Sequence, residues 1–208
     1  MNISKFLLIE AAFIIASIPL LFLLQGRNKK STFFRSSNKE EILGKTSFKL
    51  PEKEKLLELE KLAIVKGSGL KFDSLIGDWK FITVWKQDAK KEDSLFSSLL
   101  RFFSAKIVLK KNLLKKKPVD FSINTSIQFG LISIEFSGNA YLKGEQPFLH
   151  FFFNLIELRS GSSILFSRAL EKPVEKEKLY FALIASATSN EWLSARGQGG
   201  ALVLWLKG

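Results

Sequence analysis

The chain has 208 residues, 32 of them Lys or Arg against 20 Asp or Glu, with one His and no Cys. That length suits one domain of ordinary size plus an appendage, and an apolar share of 46% allows a sizeable core and argues against wholesale disorder. The missing Cys excludes disulfides, iron–sulfur clusters and thiol catalysis, and the single His150 excludes a multi-His metal site and leaves one base for any Ser-His-Asp triad.

The formal charge of +12 is spread over the chain. Both an anionic membrane face and a nucleic acid suit such a surface. The first predicted element favours the membrane. Phe6 to Leu24 is a run of mostly Leu, Ile, Phe and Ala. As a helix at about 1.5 Å per residue it would span roughly 28 Å, close to the hydrocarbon thickness of a bilayer. Glu10, Ser17 and Pro19 interrupt the run. A cleaved signal peptide is the competing reading, but no small-x-small site follows; Gln25-Gly26-Arg27-Asn28-Lys29-Lys30 follows instead. Residues 1–26 therefore read as a retained transmembrane anchor. The basic flank after the span places the C-terminal domain on the cytoplasmic or stromal side.

Residues 27–50 read as a basic linker. Phe33 and Phe34 beside Lys29, Lys30 and Arg35 suit lipid headgroups, and a plain solvated linker suits them equally. Residues 51–208 read as one β-rich domain. Pro51 opens a helix with Glu52 and Glu54 in its first turn, a stripe of Leu56, Leu59 and Ala63, and a stop at Gly67. That helix is expected to pack on the domain or to plug one end of it.

From residue 77 the period changes. Trp79 to Trp85 reads as a strand, and Leu95 to Phe103 as a short helix behind Asp93 and Ser94, which can cap it. Strand character returns at 107–109, 119–127, 131–136, 148–159, 163–170, 179–188, 192–196 and 201–206. Ser160-Gly161 is a hairpin-turn signal. About eight consecutive antiparallel strands with short turns favour a closed up-and-down β-barrel, with a sandwich as runner-up.

Two motifs carry a resemblance. Gly77-Asp78-Trp79 opens the first long strand and resembles the Gly-x-Trp start of lipocalin-like barrels. Trp192 to Leu204, with Arg196 and a glycine-containing turn at Gly197 to Gly200, resembles the closing motif of the plastid lipid-associated protein (fibrillin) family. The likeness covers roughly residues 55–208, with the acidic residues before the closing arginine reduced to Glu191. It implies a lipocalin-like barrel closed by Gly77, Trp79, Arg196 and Gly197, with Arg196 packed across the Trp79 ring. It also implies a photosynthetic membrane, with the thylakoid the expected location.

Phe129, Phe136, Phe151, Phe153, Phe166 and Phe181 are candidates to line a site for a lipid, quinone or other isoprenoid, with core packing as the plainer reading. Lys110, Lys111, Lys115, Lys116 and Lys117 are candidates for an anionic lipid surface, with a solvated loop as the plainer reading. No Walker loop, dinucleotide fingerprint, nucleophile elbow, metal-ligand spacing or nucleic-acid motif is present. No catalytic residue, cofactor, metal or nucleic acid is therefore expected. The expected role is a membrane-anchored, non-enzymatic binding protein for a small apolar molecule. The alternative is an assembly or stability factor that docks on a photosynthetic membrane protein complex.

Overall fold

Strand β1, Gly77–Trp85, hydrogen-bonds along one edge to the last strand of the chain and along the other to the next one. Together with the pairing of strands Ile132–Lys143 and Phe148–Ser160, this closes the sheet on itself. The computed structural model describes residues 50–87, 93–112, 120–144, 147–174, 178–186 and 191–208. The expected anchor, linker residues 27–49 and Lys115, Lys116 and Lys117 lie outside them. No described helix is long and apolar enough to cross a membrane.

The strands are β1, β2 (Lys106–Lys111), β3 (Asp120–Phe129), β4 (Ile132–Lys143), β5 (Phe148–Ser160), β6 (Ser163–Ala169), β7 (Leu179–Ser186), β8 (Trp192–Gly197) and β9 (Leu202–Lys207). All pairings are antiparallel, in the order β4-β3-β2-β1-β9-β8-β7-β5-β6, and β4 also pairs with β5. Eight strands thus form a barrel-like ring, and β6 stands outside it. The expectation of an antiparallel barrel holds at this level; one of the nine strands is not part of the wall.

The reason lies in strand length. β5 has 13 residues, about 43 Å at roughly 3.3 Å per residue. β7 pairs only with its Phe148–Phe151 end, and β6 pairs with its Leu155–Ser160 end. β4 follows β5 along its length, past a bulge at Ser137/Gly138. The turn at Ser160-Gly161 forms as expected, with Ser160 opposite Ser163. β3, β4, β5 and β6 therefore extend past the ring as a flap. β1, β3, β5 and β8 run toward this flap end, and the opposite end holds their starts.

Alternation sorts the side chains. Trp79, Phe81, Ile123, Phe151, Leu183 and Trp205 point inward into one buried cluster. Ile82, Trp85, Leu202, Leu204 and Leu206 point outward and are covered by helix α1 (Lys53–Lys66) through Leu56, Leu57 and Leu59. α1 thus packs on the outer wall and does not plug an end. Gly67 stops it as expected, with φ of 78° and its N–H bonded to the Ala63 carbonyl.

Two short helices occupy the ends. α2 (Phe72–Leu75) covers the end where β1 starts, with Phe72 stacked 4.1 Å from Phe121. α3 (Ser94–Phe102) takes over the β1 edge after β2 departs at Lys80. There the Val84 N–H donates to Ser97 Oγ at 3.1 Å, and Arg101 donates to the Ile82 carbonyl at 2.5 Å. These bonds satisfy strand groups that a neighbouring strand would otherwise pair.

Asp93 caps α3. It accepts from the Phe96 N–H at 3.1 Å and pairs with Lys86 at 2.8 Å. The Lys86 ammonium, aided by the Phe96 N–H, holds its carboxyl below the usual range. A depressed folded-state pKa means the stabilisation is present above the unfolded value, about 3.9, and is lost as pH falls through the folded value. Asp93→Asn, which keeps an oxygen to cap the helix and removes the charge, is expected to cost about 0.5 kcal/mol at pH 7 and less at pH 3, measured by urea unfolding. An equal cost at both pH values would show that the carboxylate charge is not what stabilises the cap.

Candidate functional site

Trp79, Leu109, Leu149, Phe181, Leu183 and Trp205 surround the centre of the ring. The cavity left among them is about 10 Å³ and is lined without polar groups. A water needs about that much room and two to four polar partners, so the space is dry. Small-molecule sites run to several hundred Å³, and this space is far smaller.

Five of the six candidate phenylalanines lie on the inward face of ring strands, and Phe166 stands on β6 outside the ring. Four join one line of ring contacts: Phe136 to Phe153 at 5.4 Å, Phe153 to Phe151 at 5.6 Å, Phe151 to Phe181 at 5.1 Å, and Phe181 to Trp205 at 5.3 Å. Phe129 lies further out, against Phe102 at 5.8 Å and Phe103 at 5.9 Å at the edge of α3. Phe166 stands on β6 opposite Leu158. The line thus runs from a packed core to an uncovered surface.

That surface is the flap. Leu131 is 76% exposed, Leu165 58% and Phe129 55%, and Phe102, Ile164 and Phe166 are about half exposed. So many large apolar side chains at one end of a domain exceed the scattered exposure that needs no explanation.

The other end is basic. Lys111 pairs with Phe121 near the start of β3, Lys143 with Phe148 at the start of β5, and Lys207 with Trp79 near the start of β1. With Lys110, these exposed cations ring the end opposite the flap. Lys110 and Lys111 belong to strand β2 and not to a loop. Lys143 stands alone in the sequence, and Lys207 ends the apolar last strand.

The barrel-closing residues need one correction. The ammonium of Lys207, not Arg196, lies over the Trp79 ring, 5.3 Å from its centre. Trp79 donates its indole N–H to the Leu75 carbonyl at 2.8 Å. Arg196 sits opposite Leu202 on the outer face. It grips both carboxylate oxygens of Glu60 on α1 and donates to the Gly200 carbonyl at 2.6 Å. The parity of β8 explains the difference: Leu193 and Ala195 point inward, so Arg196 must point out. Arg196 therefore ties the outer helix to the last turn.

Glycine roles also divide unevenly. Gly77 has φ of 143°, a region that L side chains avoid, which explains the glycine before Trp79. Gly197 has no such φ, and a Cβ there would meet nothing closer than 3.7 Å. In the closing turn the left-handed position belongs to Gly200.

Arg196→Met is expected to cost about 2 kcal/mol, between the values for exposed and for buried ion pairs, because the pair is partly buried. A double-mutant cycle with Glu60→Gln should give a coupling of at least about 1 kcal/mol. Additive costs would mean that the two groups do not hold α1 to the ring.

A cleft of about 300 Å³ beside this pair is lined by Lys53, Lys86, Gln87 and Arg196. Its cations are largely neutralised, since Lys86 meets Asp93 and Arg196 meets Glu60. His150 lies on the outer face, stacked on Tyr141 at 5.3 Å and near Tyr180 at 5.7 Å. Its surroundings are aromatic. Among the described residues no three His, Asp or Glu side chains gather where a metal ion could be held.

Comparison of the chain with protein-family models, with curated proteins and with solved structures finds no match.

Proposed function

We propose that this protein is a membrane-held, non-catalytic docking factor whose packed barrel offers its apolar flap to an apolar surface of a membrane protein complex. The observation that carries this reading is the contrast between the two faces of the apolar material. The space among Trp79, Phe181 and Trp205 is about 10 Å³, small for a ligand, while Phe129, Leu131 and Phe166 stand exposed at one end. A flat apolar surface buries little of a small molecule but suits the core of a protein interface. The basic end of the domain fits anionic headgroups, and the apolar run at residues 6–24 fits an anchor that would raise the local concentration of the domain at a membrane. The Gly77-Asp78-Trp79 opening and the 192–204 closing segment support a lipocalin-like, fibrillin-type domain and hence a photosynthetic membrane.

The test places a photo-crosslinking amino acid at Leu131 in the full chain within its own membranes. One adduct of defined mass with a membrane protein, lost on Phe129→Glu, is the expected result. Adducts with lipid alone would sink the reading.

A second reading has its own observation. Phe136 and Phe153 are only partly buried where the line of rings reaches the flap, so an apolar molecule has a surface to lie on there. Native mass spectrometry with lipid extraction separates the two. A stoichiometric apolar molecule carried from the membrane supports the carrier role, and bulk lipid alone supports docking.

A further inference from the structure

We propose that the inward face of the flap seats one amphipathic helix of the partner, lying over β4 and β5 with an acidic residue set against Arg168. This inference rests on the docking reading and goes further, because it names which face of the flap is used and what the partner must present.

The two faces of the flap differ. Opposite residues of an antiparallel pair share a face, and Phe136 faces inward, so the register carries that face from strand to strand. Phe129 lies opposite Ile132, Ile127 opposite Ile134, and Ile134 opposite Leu158. Phe136 lies opposite Ile156, Leu158 opposite Phe166, and Ile156 opposite Arg168. The inward face is thus apolar over all four strands, and Arg168 is its only charge. The other face is polar and holds its own ion pairs. There Arg159 meets Glu157 at 3.0 Å and Glu135 at 3.9 Å, and Ser133 and Ser167 donate to the same two carboxylates. Ile164 belongs to that face, because the bulge at Leu165 sets it opposite Arg159. A sheet with one apolar face buries it against a second layer. Here Phe129, Ile132 and Phe166 are left 55%, 40% and 52% exposed.

Three observations choose the occupant. A bilayer would have to take the flap tip first, and that would carry the cluster of Glu135, Arg159 and Glu157 toward hydrocarbon, which is costly. The inward face also continues the concave side of the ring wall, and α3 borders it at β3. There the Gln128 N–H donates to the Phe103 carbonyl at 2.6 Å, and Phe102 meets Phe129. A concave face with a helix along one border suits a narrow partner better than a flat layer. From β3 to β6 it is three strand spacings of roughly 4.8 Å wide, room for one helix about 10 Å across. The ring's outer wall is covered in the same way, by the single helix α1. The third observation is charge. In the part of these strands that forms the flap, the acidic residues are Glu135 and Glu157, which lie opposite each other on the polar face. A second copy of the flap would therefore bring another arginine and no carboxylate. A helix with apolar residues toward Leu158 and Phe166 and an Asp or Glu toward Arg168 meets both needs.

The test uses the full chain within its own membranes. A photo-crosslinking amino acid is placed at Phe166 on the apolar face and, as control, at Ile164 on the polar face of the same strand; both residues are 52% exposed. Phe166 is expected to give an adduct with a membrane protein, and Ile164 none. Peptide mapping of the adducts from Phe166 and Phe129 should place the partner residues at the i, i+3 and i+4 spacing of one helix face, with an Asp or Glu among them. Arg168→Glu is expected to lower the yield at Phe166 at least about tenfold, and Arg168→Lys to keep most of it. Replacing the mapped acid of the partner by Lys should restore the yield to Arg168→Glu. Circular dichroism checks that these exposed substitutions leave the fold intact. Suppose Leu131 captures a membrane protein. Equal yields at Phe166 and Ile164, partner residues at alternate positions as in a strand, or no effect of Arg168→Glu would then overturn the inference and leave docking standing. Adducts with lipid alone at both Leu131 and Phe166 would sink the docking reading itself, and this inference with it. An adduct of Phe166 with a second copy of the chain would overturn the inference as well.

Discussion

Replacing Gly138 with alanine is expected to cost more than about 3 kcal/mol, and the variant is expected to be the least stable single-methyl change in the described ring. A Cβ at Gly138 would lie 1.9 Å from the Phe152 carbonyl oxygen and 2.8 Å from both the Phe152 carbonyl carbon and the Phe153 Cα. All three atoms are backbone. A flexible side chain could swing away, but these atoms are held in the β4–β5 ladder, between the stretch of β5 that β7 pairs and the stretch that β6 pairs. Relief therefore requires opening the seam that closes the ring. The bulge at Ser137/Gly138 makes the approach so close, because it brings the bent strand against its neighbour. Gly197→Ala is the matched control, with nothing within 3.7 Å and an expected cost below about 1 kcal/mol. Urea unfolding followed by tryptophan fluorescence measures both. A cost for Gly138→Ala as small as the control's would mean the two strands are not in such close contact.

Truncating Trp79 to alanine is expected to cost about 4 kcal/mol. Trp79 is only 1% exposed, and its indole N–H is bonded to the Leu75 carbonyl. It also holds the Lys207 ammonium over its ring. Truncation removes the largest buried side chain and leaves the Leu75 carbonyl without its donor. It also enlarges the dry space beside Phe181 and Trp205, which is about 10 Å³ in the intact protein. An apolar cavity of side-chain size stays dry and takes up small apolar molecules. If the variant folds, it is therefore expected to be stabilised by benzene or a similar probe, while the intact protein is not. Calorimetric melting with and without the probe tests this. A probe effect of equal size in both proteins would show that the intact centre is already open to ligands.

The two substitutions also separate what is local from what is not. The glycine before Trp79 and the alternation that sends Trp79 inward are readable in a few neighbouring residues, because a strand's period of two is a local property. The close approach at Gly138 is not readable. The clean alternation in the sequence carries this strand only to Phe136. In the structure it continues to Lys143 because β3 and β5 pair with it on both sides. Tertiary pairing overrode a weak local preference.

The sequence by itself determined the strand-rich domain after residue 77, the helix that ends at Gly67 and the hairpin at Ser160-Gly161, and left open which of the six phenylalanines face inward. Each of those three elements follows from spacing within about a dozen residues. Only the tertiary structure decided the rest. It left β6 outside the ring, because β5 outruns β7. It placed Lys207 over Trp79 and gave Arg196 to Glu60, a partner 136 positions away in the chain. It also packed Phe181 and Trp205 around Trp79 and left Phe129, Leu131 and Phe166 exposed on the flap. Those outcomes depend on which strands meet and how their lengths match, and no local period encodes that.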